Sequence, residues 1–477
     1  MARLGFVAVA TLSLGVAGVS PPSAMATPAE WSQFRGGPTR QGSDQPSTIT
    51  PANVSTLPTL STAWHADIGS VISSPAVVGG VVYVGANQSL YAFPTICSIE
   101  PSCEPLWTGP TAGGIPSSLA VAGGIAYVGS LDHKLYAFDA AGTQGCSGTP
   151  KLCTPLWTAE TGNGVNSSPV VAGGRVYVGS DDHKLYAFDA AGVTNCGGVP
   201  KTCAALWTAL TGDLVYSTPA VSGGVVYVGS DDGNLSAFDA AGVTGCAGTP
   251  TTCAPLWSAP TGAFASASPA VTNGVVYMGS NGGLKAYDAG GAINCTGSPK
   301  VCAPLWSAAT GPFFASPAVD GGVVYVSAFD RKLYAFDATG TSGCSGMPKV
   351  CGPLWTAVIS SAVDAISISS PVVTNGLVFA GTGYGDHFVR AFDATGVTNC
   401  GGTPKVCTPL GTVTPPALSA RRRRWPATTS TLAPTDSDSR RSVSRSRPSA
   451  HSTPSVHSAP STPGRRVGRW RPARPGR

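Results

Sequence analysis

Fourteen cysteines are the groups in this chain best placed to do chemistry, and their spacing restricts which chemistry that is. They fall into seven pairs: Cys97/Cys103, Cys146/Cys153, Cys196/Cys203, Cys246/Cys253, Cys295/Cys302, Cys344/Cys351 and Cys400/Cys407. Paired thiols either hold a metal or close a disulfide. Structural zinc favours cysteines two to four residues apart with a second ligand pair nearby, whereas six of these pairs are C-x6-C and no histidine accompanies them. Local disulfides are therefore expected, each closing a loop of about eight residues and contributing roughly 2 to 3 kcal/mol by restricting the unfolded chain.

Carboxylates and indoles recur in the same rhythm. Asp139, Asp189, Asp239, Asp288, Asp337 and Asp393 each close an aromatic-Asp dipeptide, and Trp107, Trp157, Trp207, Trp257, Trp306 and Trp355 each lie four residues beyond a cysteine pair. An Asp in a tight turn accepts backbone N–H groups, a neighbouring Gly supplies the backbone angles, and an indole packs between layers. These residues are expected to dock one repeat on the next, and no catalytic or metal-binding residue is assigned. Acids outside this pattern are few, chiefly Asp213, Asp320, Asp364 and Asp386, and they form no visible set of convergent oxygen ligands for calcium. Gly381-Thr382-Gly383-Tyr384-Gly385 resembles a nucleotide loop only superficially, since a strand rather than a helix follows it.

The elements that carry these residues repeat every 49 or 50 positions through the first six copies, with a last step of 56, a period that means a solenoid, propeller or array. The third copy reads most clearly: Ser167-Ser168-Pro169-Val170-Val171, Val176-Tyr177-Val178-Gly179-Ser180, Leu185-Tyr186-Ala187-Phe188-Asp189, then Leu206-Trp207-Thr208. Four short strands rich in β-branched and aromatic residues are separated by turn residues. They are apolar on both faces, as befits a sheet packed between two others. The fold class is all-β, a propeller of four-stranded antiparallel blades with a disulfide-closed loop per blade. Seven blades are complete, and an eighth is lost or incomplete. A charged fraction of 11%, against about 25% in ordinary soluble domains, agrees with so apolar a set of strands.

Ala187-Phe188-Asp189-Ala190-Ala191-Gly192 followed by Leu206-Trp207 resembles the A-x-D-x-x-(T)-G-x-x-x-W docking pattern of the pyrroloquinoline quinone (PQQ) type of β-propeller, with about 11 residues inserted between Gly and Trp. Blade 1 departs from it, having Phe93-Pro94. The stretch from Trp31 to Gly42, with Thr50-Pro51-Ala52-Asn53-Val54, is similar to the lead-in of secreted quinoprotein-like propellers. Kelch repeats share the period and the Gly-Gly turns but not the Asp-Gly-Trp arrangement. The resemblance implies either a scaffold or assembly module, or a dehydrogenase using PQQ and calcium with an Asp as base. The adjacent cysteines carried by several such enzymes are missing, as is a C-x-x-C-H haem segment.

The ends of the chain differ from the repeats. Arg3, the apolar run Leu4 to Val19 and Ala24-Met25-Ala26 read as a secretory signal over residues 1–26. A lead-in (27–63), the propeller (64–410) and an Arg/Ser/Pro-rich tail (411–477) follow. The lead-in could add an outer strand to the last blade. Beyond Leu410, where Trp should follow, all register is lost, and residues 412–477 hold fourteen Arg, two Asp and no Lys in a chain of net charge +5. The sharp break suggests a changed reading frame; if neither other frame of the gene restores Trp and a Ser-Pro-Ala-Val-like strand, that reading fails. The rival is a disordered basic tail, although export argues against a nucleic-acid partner.

Near-identical blades favour an exported, non-enzymatic binding or scaffold module, secreted or held at the cell envelope as a monomer without a transmembrane segment once the signal is removed. Its expected partner is a protein, glycan or envelope component, and no cofactor is expected. The alternative is a PQQ- and calcium-dependent dehydrogenase of alcohols or sugars. Polar stretches such as Asp132-His133-Lys134, Asp182-His183-Lys184 and Asp231-Asp232-Gly233-Asn234 read as solvated hairpin tips. Blade 7, irregular around Ala362–Ser367 and Gly383–His387, is where binding loops are first sought.

Overall fold

A computed structural model describes residues 32–41, 43–44, 50–54, 66–97, 102–308, 310–311, 315–361, 369–382 and 388–413. The signal segment, the basic tail and both irregular stretches of blade 7 lie outside these residues. The chain divides into units 1–419 and 420–477, and every described residue belongs to the first.

Blade 3 illustrates the build. Val170–Ala172, Arg175–Ser180, Lys184–Asp189 and Trp207–Leu210 pair antiparallel from inner to outer strand, with Val171 opposite Val176, Tyr177 opposite Ala187 and Ala187 opposite Trp207. Gly173 and Gly174, both at positive φ, make the tight first turn. The sheet then continues: the hairpin of Cys246–Ala247 and Thr252–Cys253, encoded in the next repeat, adds to the outer strand in parallel through Thr208 and Thr252. The disulfide loop of one repeat thus extends the sheet of the preceding one, giving six strands where the sequence alone suggests four. An unpaired outer edge is a liability in β proteins, and the borrowed hairpin covers it in blades 1 to 6.

The cores lie between blades. Tyr177, Leu185, Ala187 and Trp207 of blade 3 pack against Val226, Val228, Phe238 and Ala240 of blade 4, with Cys253 filling the same layer. Five more joints, from blades 1–2 to blades 6–7, repeat this composition. Blades 7 and 1 do not share such a core among the described residues. Blade 7 packs Leu377 and Ala391 around Val54, and blade 1 groups Val82, Phe93 and Cys103 with Ala66 and Ile68.

The cysteine loops close locally, as expected, but each packs on the preceding blade. Cys153, Cys203, Cys302, Cys351 and Cys407, like Cys253, are at most 4% exposed. Cys153 sits in the core between blades 1 and 2, Cys203 between 2 and 3, Cys302 between 4 and 5, Cys351 between 5 and 6, and Cys407 between 6 and 7. The physical reason is the parallel pairing of each hairpin with the outer strand of the preceding blade. That pairing brings the second cysteine into the joint, where its sulfur packs as a small apolar group.

Blade 7 has Val372–Thr374, Leu377–Gly381 and Val389–Asp393, and its outer strand is Gly411–Val413, just past the loss of sequence register. The lead-in also departs from expectation. Ser43 and Asp44 pair in parallel with Val373 and Thr374, the innermost strand of blade 7 rather than its outer edge. The physical reason is that Gly411–Val413 already occupies the outer position, while inner strands present unpaired N–H groups that a passing chain can satisfy. No helix among the described residues is long and apolar enough to cross a membrane.

Candidate functional site: the blade joints, the occupied axis and an acidic face

The docking tryptophans act on the neighbouring repeat. Trp107 Nε1 donates to the Ala140 carbonyl at 3.1 Å, as do Trp207, Trp257 and Trp306 to Ala240, Ala289 and Ala338 at 3.2–3.3 Å. Trp157 Nε1 is buried without a hydrogen-bond partner among the described residues, and Trp355 lies in the core between blades 6 and 7. The same carbonyls accept a tyrosine hydroxyl that sequence reasoning passed over: Tyr83, Tyr177, Tyr227 and Tyr277 donate at 2.9–3.0 Å. Their signal was present in the sequence, as the recurrent Tyr of the second strand. A Cβ on Gly142 would lie 2.2 Å from Trp107 Cδ1, and Gly142 has φ +64°, so only glycine lets the indole seat there.

The aspartates hold the turn that presents this carbonyl. Asp189 Oδ2 accepts the N–H groups of Val193 and Thr194 at 2.8 and 2.6 Å, and Asp139, Asp239, Asp288, Asp337 and Asp393 bind the corresponding turn amides. Burial raises the Asp189 pKa, but its amide hydrogen bonds outweigh burial and leave it below the ordinary value; Asp139, Asp239, Asp337 and Asp393 are lowered likewise. All seven cysteine pairs are bonded within their own loops, Cys97 to Cys103, Cys146 to Cys153, Cys196 to Cys203, Cys246 to Cys253, Cys295 to Cys302, Cys344 to Cys351 and Cys400 to Cys407. The second cysteine of each loop is buried and the first more open, so the bond ties an exposed hairpin to a core layer.

Lead-in residues 32–41 visit blades 2 to 6 in order along their inner strands. The N–H groups of Val121, Val221, Val271 and Val319 donate to the carbonyls of Ser32, Pro38, Thr39 and Gln41 at 2.7–2.8 Å. Gln33 exchanges two bonds with Val171. Two arginines complete this lining. Arg40 donates to the carbonyls of Pro169 and Pro219 at 3.0 Å, bridging blades 3 and 4, and Arg35 donates to Pro317 and Pro371, bridging blades 6 and 7. Burial pushes both guanidinium groups down to about 9, with Arg35 adding repulsion on Arg40, so both remain cationic at neutral pH. Neither forms a salt bridge among the described residues. Nothing in a lone Arg announces this role, because the acceptors are backbone carbonyls that no sequence pattern marks.

The lead-in lies toward the Gly-Gly turns, with Pro38 beside Gly173 and Gly223. Chain direction puts the second-to-third-strand tips at the opposite ends of the blades. There Asp181 accepts from Asn166 at 2.7 Å and Asp231 from Ser266 at 2.6 Å. Burial raises both carboxyl groups, opposed by those hydrogen bonds and reinforced by neighbouring aspartates. His183 stands 3.7 Å from Asp213. The tips are not merely solvated: Asp182 takes the Tyr186 hydroxyl and the Gly162 N–H, and Asp232 takes the Gly212 N–H at 2.8 Å. Each of these aspartates fastens its tip to an adjacent loop.

The described residues of this lining offer calcium a poor donor set. Calcium needs six to eight oxygen ligands with carboxylates among them, whereas the axial carbonyls of Pro169, Pro219, Pro317 and Pro371 are held by cationic guanidinium groups. No three His, Cys, Asp or Glu side chains among the described residues group as metal ligands.

A family model described as outer membrane protein assembly factor BamB matches residues 150–241 and 295–398. No curated protein sequence matches the chain. Among solved structures, a quinohemoprotein alcohol dehydrogenase from Pseudomonas putida HK5 is 16% identical, with 80% of this chain and 72% of that one covered at a TM-score of 0.53. A europium-containing methanol dehydrogenase is 14% identical over 77% and 84% of the two chains, at 0.52. BamB from Moraxella catarrhalis is 15% identical over 67% and 81%, at 0.48. At such identities the likeness is one of fold.

Proposed function

We propose that this chain, a β-propeller of PQQ-like repeats, is an exported, non-enzymatic binding or scaffold module of the cell envelope. The observation that carries this reading is the occupied axis: residues 32–41 bond the inner strands of blades 2 to 6, and the buried cations Arg35 and Arg40 take the carbonyls of Pro169, Pro219, Pro317 and Pro371. Fold by itself assigns no chemistry. Export is supported by the signal-like N-terminus and by seven disulfides, which persist in oxidising compartments. The surface offered to a protein, glycan or envelope partner is the face bearing Asp181, Asp231, Asp213 and the exposed Tyr216.

The test is a titration of the mature, oxidised chain with PQQ and calcium, read by quinone absorbance and dye-linked oxidation of alcohols and sugars. Neither saturable binding nor turnover is expected. Saturable binding with turnover would replace this reading by that of a dehydrogenase.

A further inference from the structure

We propose that the groove between blades 3 and 4, at the Gly-Gly turns, is a binding site for a carboxylate that carries an apolar group, and that Arg175 holds it. The second strand of every blade opens on one residue just past its tight turn. Six copies have an aliphatic there, Val81, Ile125, Val225, Val275, Val323 and Leu377, and blade 3 alone has a cation, Arg175. Val81, Ile125, Val225, Val275 and Val323 pack against the cores of their joints.

The exception lines a groove of about 420 Å³ whose walls include Pro38, Ala172, Tyr177, Val221 and Ala240. That is a volume suited to a small ligand. The walls are held in place: Tyr177 Oη and Trp207 Nε1 donate to the Ala240 carbonyl at 2.9 and 3.3 Å, and Val221 N–H donates to the Pro38 carbonyl at 2.7 Å. A ligand seated here would have little of the protein left to order.

The guanidinium is short of acceptors. Among the described residues, Nη2 donates across the joint to the Ala241 carbonyl at 3.4 Å, Nε is buried with no hydrogen-bond partner, and Arg175 forms no salt bridge. An arginine that only covered the joint would lay its stem there and keep its whole fork in water, whereas a buried N–H without an acceptor is costly. A carboxylate supplies what is missing, since its two oxygens match the planar fork and accept two N–H groups at once.

Asp239 also lines the groove, but Oδ1 already accepts the Ala241 N–H and Oδ2 those of Val243 and Thr244. Its charge opposes a dianionic phosphate more strongly than a carboxylate monoanion, and the apolar walls favour an aliphatic body beside the charge. A second groove of about 570 Å³, between blades 1 and 2, has Val81 in this place and no cation in its lining. The site stands apart from the acidic face at the other ends of the blades and does not depend on what that face binds.

Saturation-transfer difference NMR on the mature, oxidised chain tests this with N-acetyl-leucine, N-acetyl-leucinamide and phenyl phosphate. N-acetyl-leucine should bind saturably, and its amide and phenyl phosphate at least about tenfold more weakly, the loss expected when a charged hydrogen-bonded pair is removed or opposed. Arg175→Val, which installs the residue of blades 1, 4, 5 and 6, should weaken N-acetyl-leucine to the same degree. A pentapeptide ending in a free leucine carboxylate separates the sources: tighter binding than N-acetyl-leucine identifies a polypeptide C-terminus, and equal or weaker binding a small free acid. No saturable binding of N-acetyl-leucine, equal binding of its amide, tighter binding of phenyl phosphate, or unchanged binding by Arg175→Val would overturn the assignment. The amide and phosphate comparisons use the unsubstituted protein and hold however the variant folds.

Discussion

Trp257 is buried to 2% exposure between blades 4 and 5 while its Nε1 reaches Ala289. Trp257→Ala should cost about 3 to 5 kcal/mol, the range for removing a buried aromatic, measured as the shift in urea unfolding of the oxidised protein. The carboxylates act in two opposite senses. Asp139, Asp189, Asp239, Asp337 and Asp393 are lowered on folding, so the stability they confer is full above the unfolded carboxyl pKa of about 3.9 and is lost as pH falls through the folded value. Asp181 and Asp231 are raised, so their contribution is greatest below that unfolded value and is lost as pH rises through the folded one. Asp181→Asn should therefore raise the unfolding midpoint at pH 7 while Asp189→Asn lowers it, and the gap between the two variants should narrow in acid.

At the scale of the element, the borrowed hairpin decides where a broken disulfide is felt. Cys246→Ser with Cys253→Ser should destabilise the protein by roughly 2 to 3 kcal/mol. Faster hydrogen exchange should appear at Trp207–Leu210 of blade 3, whose outer strand the hairpin covers, rather than at Trp257–Pro260 of blade 4. Much of this scale was legible in the sequence: the strands of blade 3, its Gly-Gly turn and its Asp-Gly-Trp pattern follow from apolar residues and turn chemistry recurring at one period. Where the cysteine loop attaches was not legible. Its parallel pairing of Thr208 with Thr252 joins residues 44 positions apart through backbone groups alone. The axial path of residues 32–41 escaped for the same reason, since Pro38 and Thr39 bind through their carbonyls and any residue offers one.

Within residues 1–419 the inner strands of blades 2 to 7 are bound by the chain's own lead-in, and that arrangement underlies its reading as a binding module. Arg40→Ala should cost about 1 to 3 kcal/mol for each of the Pro169 and Pro219 carbonyls left without a donor, seen as a lower melting temperature. The most direct test is hydrogen exchange of the mature, oxidised chain, resolved by mass spectrometry to the inner-strand segments that hold Val121, Val171, Val221, Val271 and Val319. These amides should exchange as slowly as those of the central strands, and Arg35→Ala with Arg40→Ala should speed them while leaving the central strands unchanged. Inner-strand amides exchanging in the unsubstituted protein as fast as exposed turns would mean that the axis is open, and the account of a self-filled scaffold would be wrong.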